Sequence, residues 1–310
     1  MLTYAPRPIL NFCPPHLLLT LTFWLGLLCW MAPVSAQFHF RDYASNPKLT
    51  LPDAIKSRSA YLVDAATGQV LFARNEDERL LPASTTKLMT ALIVYEKIGK
   101  KLTGSVTITE NDRAEPSNIP VVPGETISVD TLFHALLIES ANDSARALGR
   151  YVAGSNEAFV QMMNERALAM GLFNTRFDNP NGLPAPAGTH YTSCTDLMTI
   201  FRAVLKYPEL RKILSTKEYT IRTASGLHTL RNHNRLLGFY PGMGPAKTGW
   251  TEAARHTYAA SVTIGGREIL LTLLDSPNKW SDAQILFNWA FSQKNPLSQS
   301  TTSIPAAEPQ

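Results

Sequence analysis

Three short stretches of this chain carry side chains that could do covalent chemistry together: Ser84-Thr-Thr-Lys87, Ser140-Ala-Asn142 and Lys247-Thr248-Gly249. A serine hydroxyl is a weak nucleophile, and a lysine one helical turn away can activate it only if the amine is neutral. Burial and a second cation both depress a lysine pKa, and Lys247 is the candidate for that second charge. Ser140 and Asn142 offer a hydroxyl and an amide that could point into a cleft. Gly249 lets backbone approach a ligand closely. Such a set is suited to nucleophilic attack by Ser84.

Each motif has a plainer explanation when taken singly. Ser84 could be an N-cap, because a side-chain oxygen there satisfies an N–H that the helix leaves open. Ser140 or Asn142 could cap the next helix, Lys247 could be a solvated strand end, and Gly249 an ordinary turn. Ser-x-x-Lys also recurs at Ser45 to Lys48, in a Pro-containing segment, and at Ser276 to Lys279, between the last strand and the last helix. Only Ser84 to Lys87 opens a convincing helix, where residues three apart share a face. The joint order of the three motifs weighs against coincidence.

Leu88, Leu92, Tyr95 and Ile98 recur at helical spacing and predict an amphipathic helix with Ser84 near its first turn. Two β-prone runs, Ala60 to Val63 and Val70 to Ala73, flank a turn and predict a hairpin. Leu132 to Tyr151 reads as two helical runs broken at "IESANDS". Phe159, Met162, Met163, Ala167 and Met170 form a core-facing helix that ends at Gly171. Asp178 to Gly188 is loop, and Ser193 to Leu205 a further helix. Tyr258 to Ile264 and Ile269 to Leu274 flank Gly265-Gly266, a hairpin signal, and Trp280 to Phe291 closes as a helix. The fold class is therefore α/β in the α+β sense: an antiparallel sheet drawn from both ends of the chain, flanked by helices, with an inserted all-helical region.

Residues 1–36 read as a signal peptide: Arg7, an apolar stretch from Leu17 to Met31, and small residues at Val34-Ser35-Ala36. Cleavage there would leave Gln37 to Gln310 in an exported compartment, the periplasm or cell envelope; an uncleaved segment would be the one contact with a membrane. Leu28 before Cys29 argues against lipidation. Cys194 is then alone in the mature chain, so no intramolecular disulfide is expected, and it reads as a buried small apolar residue. A formal charge of +4 without a Lys/Arg block argues against nucleic acid, and no Cys/His cluster has metal-ligand spacing. Residues 37–58 form an N-terminal extension, 59–292 the catalytic domain, and 293–310 a Pro/Ser/Thr-rich tail expected to be disordered.

The chain resembles the penicillin-binding proteins and serine β-lactamases, and most of all the low-molecular-mass D-alanyl-D-alanine carboxypeptidases. "YLVDAATGQVLFARNED", "LPASTTKLMTAL", "ESANDSARAL", "NHNRLL" and "AKTGWTEAA" all look like that family's signatures, over roughly Ser59 to Phe291. The resemblance implies a serine β-lactamase/DD-peptidase-like fold that acts without a cofactor or metal on peptidoglycan stem peptides, with β-lactams as covalent inhibitors. It implies that Ser84 is the nucleophile, Lys87 its base, Ser140 a proton relay and Asn142 a holder of the substrate amide and Lys87. Lys247 and Thr248 would bind the terminal carboxylate, while the N–H groups of Ser84 and Trp250 would form the oxyanion hole.

There are departures and rivals. Ala254-Arg255-His256 replaces the family's usual sequence after Lys-Thr-Gly, and Arg255 and His256 are read as solvent-facing strand residues. The chain ends without the extra β-domain and anchor helix of many relatives. A class A β-lactamase would need a deacylating glutamate, and the nearest candidate, Glu165, reads as a surface residue. An endopeptidase cutting D-alanyl cross-links would use the same motifs. A silent wall-binding domain would be expected to have lost Ser84, Lys87 or Lys247, and all three are present.

Overall fold

The computed structural model describes residues 54–186 and 188–293. The expected signal peptide, most of the N-terminal extension, the Ser45 to Lys48 pair and the tail beyond Gln293 lie outside the described residues.

One five-stranded antiparallel sheet, in the order β2-β1-β9-β8-β7, organises the domain. Its members are β1 (Ser59–Asp64), β2 (Val70–Arg74), β7 (Met243–Thr251), β8 (Arg255–Ile264) and β9 (Arg267–Ser276). The first two strands form the expected hairpin, and β1 pairs along its length with β9, from Ser59 opposite Leu274 to Asp64 opposite Ile269. The sheet thus joins both ends of the described domain.

Alternation along β8 and β9 divides the core in two, because successive side chains point to opposite faces. Tyr258, Ala260 and Val262, with Ile269, Leu271 and Leu273, face α7 (Lys279–Ser292) and its Leu286, Phe287 and Ala290. Ala259, Leu270 and Leu274 face the helical region on the other side. Cys194 is buried there at the start of α5 (Cys194–Leu205), as its sequence context suggested.

The helical region surrounds α1 (Lys87–Ile98) with α3 (Asn142–Ala153), α4 (Asn156–Ala169) and α5. The expectation of an amphipathic α1 needs correction: Lys87 through Tyr95 are all buried, so this is a central helix that reaches solvent only in its last turn. The expected break after Leu132 is present. Helix α2 (Val129–His134) continues into a π-helical turn, Ala135–Glu139, and stops at Ser140, whose φ of +63° is left-handed. Two short hairpins and a helix were not foreseen: β3 (Ser105–Thr107) with β4 (Thr126–Ser128), β5 (Glu218–Thr223) with β6 (Gly226–Arg231), and α6 (Pro208–Leu214).

Candidate active site

The chain enters α1 through a 3₁₀ turn, Ala83–Thr86, which carries Ser84. Ala83 sits at φ +47°, a conformation costly for a residue with a Cβ and held here by its surroundings. Thr85 Oγ1 donates to the Pro82 carbonyl at 2.6 Å, and Thr257 Oγ1 donates to the same oxygen at 2.8 Å. Neither the turn nor α1 has a side-chain N-cap. The capping reading of Ser84 is therefore corrected: its hydroxyl is not spent on backbone, and Oγ lies 2.9 Å from Lys87 Nζ.

Lys87 is fully buried, with Nζ also 2.7 Å from Asn142 Oδ1 and 2.7 Å from the Asn181 carbonyl. Both of those oxygens can only accept. A neutral amine with two N–H bonds satisfies them and has its lone pair left for the Ser84 hydroxyl. Burial, and then the nearby Lys247, push Lys87 well below the usual lysine range; buried Asp143 opposes part of that fall. Asp143, which the sequence reading did not single out, accepts from Ile119 N at 2.9 Å and is itself pushed up to about 6 by burial.

Lys247, on β7, is 2% exposed, so the solvated-strand-end reading does not hold. Its Nζ donates to Ser140 Oγ at 2.8 Å and to the Thr248 carbonyl at 2.8 Å. Burial first, and then Lys279, lower it to about 7. Neither Ser140 nor Asn142 caps α3, whose N-cap is Ala141 without a side-chain bond. They enter two separate sets of contacts instead, Ser84 to Lys87 to Asn142 and Lys247 to Ser140.

These residues border a cleft of about 770 Å³ lined by Ser84, Ser140, Asn142, Thr248, Gly249 and Trp250. Gly249 was expected to admit a ligand, but it is the protein's own backbone that comes close: a Cβ there would stand 2.8 Å from Ser84 N. Trp250, 61% exposed, stands on the wall of the cleft.

A family model described as D-alanyl-D-alanine carboxypeptidase matches residues 45–278. The chain belongs to this family. Among curated members, the D-alanyl-D-alanine carboxypeptidase DacF of Bacillus subtilis is 37% identical over 254 residues, a match covering 79% of this chain and 65% of that protein. The D-alanyl-D-alanine endopeptidase of Pseudomonas aeruginosa is 32% identical over 272 residues, covering 84% of each. The crystal structure of a D-alanyl-D-alanine carboxypeptidase from Mycobacterium tuberculosis H37Rv superposes with a TM-score of 0.74 at 30% identity, covering 81% of this chain and 96% of that one. The sheet and helices described above are thus the DD-peptidase fold of the serine β-lactamase-like superfamily.

Relative to the carboxypeptidase family pattern, the Arg255-His256 departure resolves into two different outcomes. Arg255 is exposed and pairs with Asp275 at 3.2 Å, as a surface strand residue would. His256 does not face solvent freely: it is half-buried, lines the cleft, and its Nδ1 lies 3.0 Å from Lys279 Nζ. Lys279 belongs to the Ser-x-x-Lys that looked like a mere connection, yet it is 6% exposed and also borders the cleft. Sequence reasoning missed it, and the signal available was a lysine opening a helix beside Trp280. The Asn181 carbonyl was missed as well, since a backbone oxygen carries no residue-type signature.

Proposed function

We propose that this chain is a serine-type D-alanyl-D-alanine carboxypeptidase that removes the terminal D-alanine of peptidoglycan pentapeptides through an ester on Ser84. The observation that supports this most is the buried Lys87 amine, whose two carbonyl acceptors leave its lone pair for Ser84 Oγ at 2.9 Å.

As the Ser84 oxygen attacks the penultimate carbonyl, its proton passes to Lys87 Nζ. The developing oxyanion would face the N–H groups of Ser84 and Trp250, each such donor being worth about 3 kcal/mol. Collapse breaks the C–N bond, and Ser140 relays a proton to the departing amine. Asn142 holds the substrate amide, and Lys247 and Thr248 bind the terminal carboxylate, with Lys279 as a further cation beside them. Among the described residues lining the cleft none is an aspartate or glutamate, which suits an anionic ligand. Water then hydrolyses the ester. Because Glu165 is exposed on α4, away from such a role, β-lactams would acylate Ser84 and leave slowly. An enzyme acting on peptidoglycan would work outside the cytoplasm, and the signal-like residues 1–36 support that reading.

A second reading, cleavage of D-alanyl cross-links, is favoured by the P. aeruginosa endopeptidase, which matches over 84% of both chains. Incubation with a mixture of pentapeptide monomers and cross-linked dimers, followed by mass spectrometry, separates the two. Loss of one D-alanine from monomers is the expected result. Dimers falling to monomers while pentapeptides persist would replace it with the endopeptidase reading, and no change in either substrate would refute both.

A further inference from the structure

Two buried lysines, Lys87 and Lys247, lie beside the cleft, and Arg235 and Lys279 line it. Lys87 and Lys247 are occupied by hydroxyl and carbonyl oxygens. Lys279 is different. It opens α7, is 6% exposed, and its Nζ meets the Trp280 ring at 4.5 Å and a single ring nitrogen, Nδ1 of His256, at 3.0 Å. Among the described residues no carboxylate stands within ion-pair distance of it. A buried ammonium left without an anion is costly unless a ligand supplies one.

We propose that His256 is a positioning residue that holds the Lys279 ammonium in the cleft for the carboxylate at the C-terminal end of the substrate. This rests on the peptidase reading above and deepens it. An ammonium has donors only, so the ring must accept, and Nδ1 can do so only while it carries no proton. Protonation of His256 would remove the lone pair and set a second cation against Lys279.

The groups around the ring resist that protonation. Lys279 faces it from α7, Arg255 precedes it on β8, and Arg235 and His233 line the cleft from the segment before β7. Lys247 lies on the neighbouring strand, and the acid nearby, Asp275 on β9, is taken up by Arg255 and Arg58. Burial, and then Lys279, Arg235 and Arg255, hold His256 below its usual value. Burial and Arg235 bring Lys279 down to about 8. Selectivity for a free carboxylate should therefore rise as His256 loses its proton and fall again as pH passes about 7 and then about 8, where Lys247 and Lys279 lose theirs.

The test compares diacetyl-L-lysyl-D-alanyl-D-alanine with its C-terminal amide in the wild type, His256→Phe and His256→Asn, from acid to alkaline pH. In His256→Phe the KM for the acid is expected to rise about tenfold, the size of one lost hydrogen bond to a charged group, with the acid-over-amide preference falling equally. In His256→Asn an amide oxygen takes the place of Nδ1 at the same remove from the backbone. This variant should restore the preference and lose its decline at low pH, since the amide does not titrate. Unchanged preference in His256→Phe, or a decline at low pH that persists in His256→Asn, would overturn the proposal while leaving the peptidase reading intact. Turnover of neither peptide by the wild type would overturn that reading and this inference with it.

Discussion

Strand β7 passes so close to Ser84 that a Cβ on Gly249 would stand 2.8 Å from Ser84 N, and closer still to Thr257 Oγ1. Because Thr257 Oγ1 also holds the Pro82 carbonyl at 2.8 Å, the strand and the 3₁₀ turn cannot part to admit a methyl group without moving Ser84. Gly249→Ala is therefore expected to cost about 1–3 kcal/mol of stability by overpacking. It should also slow acylation on the order of a hundredfold, the penalty for misplacing a reacting group by about 1 Å. Thermal unfolding and the rate of labelling by a fluorescent penicillin measure the two effects separately.

Lys247 lowers the Lys87 pKa as a neighbouring like charge. Removing it in Lys247→Ala raises that pKa, so less of the Lys87 amine is neutral at a given pH. The acid limb of the acylation rate should then shift to higher pH, with a loss on the order of a hundredfold near neutrality from the missing electrostatic contact. A pH profile of penicillin acylation checks the shift, which a purely structural role for Lys247 would not produce.

His190 ties the loop after Asp178 to the turn that carries Ser84. Asp178 N donates to its Nδ1 at 3.1 Å, so Nε2 carries the proton and donates to Thr86 Oγ1 at 2.9 Å. Burial lowers its pKa from 6.5 to about 4, with Asp178 opposing. The unfolded chain therefore binds a proton that the folded one refuses, and stability is lost as pH falls from 6.5 to about 4. The loss amounts to about 3 kcal/mol. His190→Gln, which offers an acceptor and a donor at similar spacing, should be less sensitive to acid over that window in urea unfolding; an identical pH dependence would contradict the assignment.

What could be read in advance follows from how each feature is encoded. Ser84 and Lys87 were legible because helical spacing alone puts them on one face, and Lys247 because a buried base requires a second charge. The outer strands were legible where apolar runs flank Gly265-Gly266 or Ala66 to Gly68. The β5–β6 ribbon was not, since Ile221, Thr223 and Leu230 are its only buried residues and the hydrophobic alternation is faint. Lys279 and His256 meet across β8 and α7, and that meeting exists only after the sheet has formed. Ser84 illustrates a different limit: the local cap preference was sound, but the turn's bonds to Pro82 come from Thr85 and Thr257, the latter far away in sequence.

In the proposed reaction Ser84 is the residue that becomes acylated. Intact-mass measurement of the protein after exposure to benzylpenicillin, followed by peptide mapping, tests it directly. One penicilloyl adduct per chain on the peptide containing Ser84, absent from a folded Ser84→Ala variant, is the predicted result. An adduct elsewhere, or equal labelling of the variant, would contradict it.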